Sequence, residues 1–329
     1  MTMDVAVIIA ARNAAPTIEK AVASALAQEP AREVHVVDDA STDETLAAAR
    51  RADDGTGRLR LHRLDVNRGP SGARNLALAQ SACAYVCVLD ADDYLLPGRL
   101  ERLLPFAAEG VLAADDLIIV PPGAPATAAA RLAESQARVL ETLDLAGFVR
   151  GNVAEPGQER RELGYLKPLM SRAFLDKHGL RYREDMRLGE DFALYAGALE
   201  KGARLRLVSA CGYVAVVHPT SLSHVHGAED LAAVLRYDDE VLSAPLDPGA
   251  KAAFERHRRQ TLRNLSHRRA LDARRRGDWA HVAREVFRSA DVFAYVLRET
   301  LRAKLGPARP PAPAQPRLLI GTVEAAAKG

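Results

Sequence analysis

Tyr85–Asp93, YVCVLDADD, is an apolar run that stops on three carboxylates. Tyr85–Leu89 shows no polar alternation, which is the pattern of a strand buried on both faces. Working back towards the N-terminus, the same plan repeats. Val5–Ala10 (VAVIIA) is a continuous apolar strand, and a helix with Ile18, Val22 and Leu26 on one stripe follows Asn13 and Thr17. Glu33–Val37 (EVHVV) is a second strand, ending on Asp38-Asp39-Ala40-Ser41-Thr42-Asp43, and a helix runs on through Ala52. Leu59–Leu64 is a third strand and Gly69–Ala79 a third helix. Repeated βαβ units predict an α/β protein: a mostly parallel sheet with helices on both faces, whose ligands bind beyond the carboxyl ends of the strands. Two acidic clusters stand at two such ends.

The chain has 329 residues, 45 Lys/Arg against 43 Asp/Glu, and 48% hydrophobic residues. That balance belongs to a globular chain with a large core. A net charge of +2 gives no overall reason to expect a nucleic-acid partner. Cys83, Cys87 and Cys211 are too few for a disulfide framework and read as core residues in a reducing compartment. No apolar run is long enough to cross a membrane, and no basic stretch precedes the apolar run at the N-terminus; the expectation is a cytoplasmic protein.

Asp90, Asp92 and Asp93 can cap the helix that follows, or they can hold a cation. Crowded like charge is costly, and hard oxygen ligands suit Mg²⁺ or Mn²⁺, with substrate phosphates completing the shell. Two rival chemistries lack their motifs. The first strand leads into AARNAAPT, without the glycines of a dinucleotide fingerprint, and the chain has no GxxxxGK[ST] loop.

Taken together, VAVIIAARNAAPTIEKAVASALAQ, VVDDASTDET, NRGPSGARNLAL, YVCVLDADDYLLP and LGEDFALY resemble the GT-A glycosyltransferases of family 2, and within them the bacterial exopolysaccharide glucosyltransferases of succinoglycan type. The resemblance runs from Val5 to about Tyr195 and implies a GT-A nucleotide-sugar-binding fold. It implies that Ala10, Ala11 and Asn13 line the nucleotide pocket, that Asp39 accepts a hydrogen bond from uracil, and that Arg74 faces the nucleotide. Asp90 and Asp92 match the DxD motif, Asp92 on the metal and Asp90 on the ribose or metal shell, with Asp93 extending the cluster towards the sugar. Arg12 stands where an aromatic residue is common. Asp191 matches the general base, with Glu190 its neighbour or alternate, although two carboxylates at a helix N-terminus are also plain dipole partners. Phe148–Leu180 resembles the acceptor-side segment, where Lys167 and Arg172 could meet donor phosphate or acceptor, or could be surface charges. In VVHPTSLSHVHG, His224 is a candidate for the metal or the diphosphate, and Ser221 and Ser223 for the phosphate.

The implied activity is inverting transfer of a hexose, glucose from UDP-glucose, to a hydroxyl of a lipid-linked oligosaccharide in exopolysaccharide assembly. Alternatives are a soluble or protein acceptor, or a catalytically weak sugar-nucleotide-binding protein. Residues 251–304 hold fifteen Lys/Arg and six Asp/Glu, a net of +9, in a helical pattern. This is either a solvated appendage or a surface for peripheral contact with the anionic inner face of the cell membrane. The chain therefore divides into a GT-A glycosyltransferase domain at 1–245, with a nucleotide-binding half (1–120) and an acceptor-binding half (121–245). A basic helical extension follows at 246–305, and a Pro/Ala-rich disordered tail at 306–329.

Overall fold

The computed structural model describes residues 3–154, 160–217, 227–305 and 315–321. The first half alternates as the sequence predicts: β1 (Val5–Ala11), α1 (Ile18–Leu26), β2 (Ala31–Asp39), α2 (Thr45–Arg51), β3 (Leu59–Leu64), α3 (Gly69–Gln80) and β4 (Tyr85–Val88). Then come β5 (Tyr94–Leu95), α4 (Arg99–Leu103), β6 (Val111–Asp115), β7 (Ile118–Val120), α5 (Ala126–Ala130), β8 (Val139–Leu143), α6 (Leu145–Gly151), β9 (Met170–Ser171) and α7 (Arg172–Lys177). The remainder is α8 (Glu190–Glu200), β10 (Arg204–Val208), β11 (Tyr213–Val216), α9 (Ala228–Ser243), α10 (Pro248–Arg275), α11 (Trp279–Val286), α12 (Ala290–Leu305) and β12 (Arg317–Leu318).

The main sheet has the order β3-β2-β1-β4-β9. Its first four strands are parallel, with Ile8 opposite His35 on one side and Val88 on the other, and β9 closes the edge antiparallel. Val5, Val7, Ile9, Val34, Val36 and Val86 have no exposed surface, which is why these strands read as unbroken apolar runs. The chain steps outward from β1 to β2 to β3, then crosses back to place β4 on the other side of β1. That reversal is a topological switch point, and a crevice opens beyond the carboxyl ends of β1 and β4. Two smaller sheets, β6-β10-β8 and β12-β7-β11-β5, build out the second half.

The start of the basic extension packs into the core. Asp247 caps α10 by accepting from the Gly249 and Ala250 amides, with Pro248 in the first turn. Ala250, Ala253 and Phe254 are then sunk in the main hydrophobic cluster. The expectation of disorder across 306–329 fails at 315–321. There β12 pairs antiparallel with β7, and the Ile320 and Gly321 amides donate to the Asp116 carboxylate at 3.0 and 3.1 Å. The Leu318-Leu319-Ile320 run supplies what the Pro/Ala stretch before it lacks, since Leu319 and Ile320 pack against the main core.

Candidate active site

Three stretches far apart in sequence meet at the switch point. Asp90 comes from the loop just beyond β4, Arg74 from the middle of α3, and Glu190 and Asp191 from the first turn of α8. Arg74 Nη2 donates to Asp90 Oδ1 at 2.9 Å, and its Nη1 donates to Glu190 Oε1 at 2.9 Å and to Asp191 Oδ1 at 3.1 Å. Lys167 Nζ completes the ring, 2.7 Å from Asp191 Oδ2 and 3.1 Å from Asp90 Oδ2. Arg74, Lys167 and Asp191 are buried, while Asp90 is half-buried. Two buried cations thus hold three carboxylates in a fixed arrangement.

The electrostatics follow from that arrangement. Burial works against the Asp90 carboxylate, but Lys167 and Arg74 outweigh it and bring its pKa down to about 2. Burial likewise opposes charge on Lys167, yet Asp191 and Asp90 raise its pKa above the usual lysine value. Glu190 goes the other way: burial and the adjacent Asp191 push it up, with Arg74 only partly compensating. Asp93 is raised well above the carboxylate range by burial and by Asp90 and Asp92. Its Oδ1 accepts from the Val216 amide at 2.8 Å and its Oδ2 from the Tyr213 hydroxyl at 2.9 Å. The Asp90 amide donates to that same hydroxyl at 3.1 Å, so Tyr213 fixes the acidic loop from below.

The remaining predicted residues divide. Asn13 is exposed at the mouth, in a left-handed conformation with φ 50°. Its amide donates to Ser41 Oγ and its Oδ1 accepts from the Thr42 amide, both at 2.9 Å, clamping the loop after β1 to the loop after β2. Asp39 is buried and accepts from the Arg68 amide at 2.7 Å, at the start of α3. Ala10 is half-buried, whereas the Ala11 side chain lies in the core, so Ala11 can line a pocket only through its backbone. Asp92 is exposed. Arg172 is tied to Asp176 and the Ser81 carbonyl, outside the cluster. His224, Ser221 and Ser223 lie outside the described residues.

Sequence reasoning missed Tyr213, Tyr182 and the Arg99–Asp115 pair. Tyr182 lies under the Arg74 guanidinium, 5.2 Å from ring centre to Cζ. Arg99 and Asp115 are completely buried, 2.7 Å apart. Asp115 Oδ2 also accepts from the Cys211, Gly212 and Tyr213 amides, which sets the start of β11 and hence the position of Tyr213. A strand-end aspartate in VLAADD was the one available signal.

The sequence profile of glycosyl transferase family 2 matches residues 6–142, from β1 through the acidic loop and into β8. The succinoglycan biosynthesis protein ExoU of Rhizobium meliloti is 48% identical over 270 residues, 82% of this chain and 78% of that protein. The chain belongs to glycosyl transferase family 2. A second relative, the Escherichia coli UDP-Glc:alpha-D-GlcNAc-diphosphoundecaprenol beta-1,3-glucosyltransferase WfaP, is 35% identical over 103 residues, 31% of this chain and 40% of WfaP. Among solved structures, S. aureus TarS 1-349 in complex with UDP-GlcNAc superposes with a TM-score of 0.59 at 18% identity, covering 97% of this chain and 99% of that one. A longer TarS chain, of which this chain spans 43%, gives 0.51. The Pyrobaculum calidifontis mannosyltransferase PcManGT, in complex with GDP-Man and Mn²⁺, gives 0.54 at 18% identity, covering 92% of this chain and 88% of that one. The fold of this family 2 enzyme is GT-A, mixed α/β with a helical C-terminal region.

Proposed function

We propose that this glycosyltransferase moves glucose from UDP-glucose to a hydroxyl of a lipid-linked oligosaccharide, with inversion, in the assembly of a succinoglycan-like exopolysaccharide at the inner face of the cell membrane. The observation that carries the reading is the ring of Arg74, Lys167, Asp90, Glu190 and Asp191, which joins the strand-end acidic loop to an acidic pair on a separate helix. The ExoU similarity supports the pathway, and the donor and lipid acceptor named for WfaP support those assignments.

The cofactor of this reading is Mn²⁺ or Mg²⁺. The residues fit it in part. The donors are hard oxygens, and Asp90, Asp92 and Asp93 crowd like charge at one strand end, which a cation would relieve. Both Asp90 oxygens lie on Arg74 and Lys167, and Asp92, the second aspartate of the DxD match, would hold the ion, with the donor diphosphate supplying further oxygens. Among the described residues no group of three His, Cys, Asp or Glu converges on one ion. When bound, the ion would neutralise charge on the departing diphosphate.

In the transfer, the base in the acidic pair takes the proton of the acceptor hydroxyl. The oxygen bonds to the anomeric carbon from the face opposite the diphosphate, and the bond to that group breaks as UDP leaves with its electron pair. Arg74 and Lys167 orient Asp191 for this step. Asn13 and the Ala10–Ala11 backbone border the nucleotide, Asp39 meets the uracil, and Asp93 faces the sugar. Asp191 is the assigned base. Glu190 is its alternate, with its pKa pushed up by burial and by the adjacent Asp191 and a cation on one oxygen only.

A thermal-shift panel of nucleoside diphosphates, with and without Mn²⁺, tests this. UDP at 100 times its Kd should stabilise the protein by about 2.7 kcal/mol. The Asp92→Ala variant should lose the Mn²⁺-dependent part of that shift. No response to any uridine nucleotide would refute the donor assignment.

A further inference from the structure

Helix α12 carries two apolar faces, only one of which is used, and α11 carries an exposed apolar stripe of its own. On α12, Val292 and Val296 are buried against the protein. Phe293, Leu297, Leu301 and Leu305 recur every four residues on a different side of the helix and are 39 to 81% exposed. On α11, Trp279 and Ala283 are exposed at the same spacing, followed by Phe287 just beyond the helix, 69% exposed. The two stripes join, because the Phe287 and Phe293 rings stack at 5.4 Å. Among the described residues this gathers six of the exposed large hydrophobic side chains into one ridge spanning two helices, whereas single exposed apolar residues are ordinary.

Charge indicates what covers the ridge. Arg284, Arg298, Arg302 and Lys304 are exposed on the same two helices, Arg275 and Arg276 are exposed just before α11, and the surrounding segment 251–304 carries +9. The acids that could offset this are partly spent: Glu285 is buried facing Arg269 and Arg288, and Asp291 is paired with Arg263. A second copy of the chain would bring the same positive charge against itself. An anionic bilayer brings the opposite charge, and tryptophan with phenylalanine and leucine on one face and arginine beside it is the composition of helices that lie in the headgroup region. We infer that α11 and α12 form a docking surface for an anionic lipid bilayer, with Trp279, Phe287, Phe293, Leu297 and Leu301 entering the acyl boundary and the arginines holding headgroups. The biological purpose of that surface rests on the lipid-linked acceptor proposed above; the binding itself does not.

Trp279 is the only tryptophan of the chain, so its emission reports on the ridge alone. The full chain is mixed with vesicles of phosphatidylglycerol and phosphatidylcholine, or of phosphatidylcholine alone, and followed by sedimentation and fluorescence. The expected result is co-sedimentation with the anionic vesicles and a blue shift of emission. Binding should fall at least tenfold in 0.5 M salt, and at least tenfold in a Leu297→Glu/Leu301→Glu variant. That variant alters exposed positions, and its melting temperature and UDP response should match the parent. Co-sedimentation with unshifted emission would overturn the ridge as the contact. Absence of vesicle binding, with or without a blue-shifting dimer in sedimentation velocity, would overturn the bilayer as the partner. Failure of the UDP response beside intact vesicle binding would sink the transferase donor and leave the docking surface standing.

Discussion

At the residue scale, Arg74 and Asp191 differ in what their loss would do. Arg74 is 4% exposed and faces three carboxylates, so Arg74→Ala leaves uncompensated negative charge in a buried site. Breaking a buried pair from one side costs about 3–5 kcal/mol. The variant should therefore unfold at markedly lower denaturant, and urea titration measures it. Asp191→Asn keeps the shape of the side chain and, through its single amide oxygen, the contact with either Arg74 or Lys167. It should retain most stability and donor binding while transfer falls by about 10²–10⁴, the range for a lost general base. Steady-state transfer beside UDP thermal shift separates the two effects. If Glu190→Gln abolishes transfer and Asp191→Asn does not, the roles of the pair are exchanged.

At the element scale, the small strands hang on single buried carboxylates. Asp116 holds the β12 end of the chain, and its pKa is pushed up to about 6, chiefly by burial, against the bonds from Ile320 and Gly321. A carboxyl raised from 3.8 in the folded state favours folding while protonated: its contribution is complete below pH 3.8 and is lost as pH rises through about 6. A difference of that size corresponds to about 3 kcal/mol. The wild-type melting temperature relative to Asp116→Asn should thus fall between pH 4 and pH 6.5, and calorimetry across that window checks the slope. The elements built this way were also those hardest to read. The β1–β4 strands announce themselves by unbroken apolar runs and turn residues, because both faces are buried. By contrast β5, β9 and β12 are two residues each and exist through partners distant in sequence, such as Tyr94 with Val214 and Tyr85 with Ser171. No local period encodes such a pairing. The same distinction separates the site residues. Asp90 and Asp191 stand in recognisable motifs, whereas Tyr213 matters only because Asp115 fixes the turn before β11. Gly212 in that turn has φ 123°, and a Cβ there would meet Leu96 Cβ at 2.8 Å. Gly212→Ala should accordingly shift Tyr213, lower stability by about 1–3 kcal/mol, and weaken the proposed metal-dependent donor binding, which the UDP–Mn²⁺ thermal shift would register.

At the scale of the whole molecule, the question is whether the charge boundary near residue 246 is also a folding boundary. The sequence marks it clearly, by Pro245, Pro248, Gly249 and the sudden excess of arginine. Packing argues the other way. Phe192, directly after Asp191, stacks on His257 of α10 at 4.5 Å, and His257 bonds the buried Asp238 of α9 at 2.9 Å. Phe254 has no exposed surface and meets Phe192 and Tyr237 edge-on. The helix that presents the acidic pair is therefore supported by the helix that begins the basic segment. Removing a buried phenylalanine side chain alone costs about 3–5 kcal/mol, and total stability of such a protein is about 5–15 kcal/mol. A chain cut after Leu246 loses Phe254, Ala250, Ala253 and His257 together, and should not hold α8 in place. Expressed as residues 1–246, it should show no cooperative melting transition and rapid proteolysis around residues 190–200. A cut after Arg276 keeps α10 and should melt cooperatively with its UDP response intact, while losing the ridge on α11 and α12. If the 1–246 fragment instead melts cooperatively and responds to UDP, α10 is an attachment and the position of Asp191 is set by the sheet and by Arg74 alone.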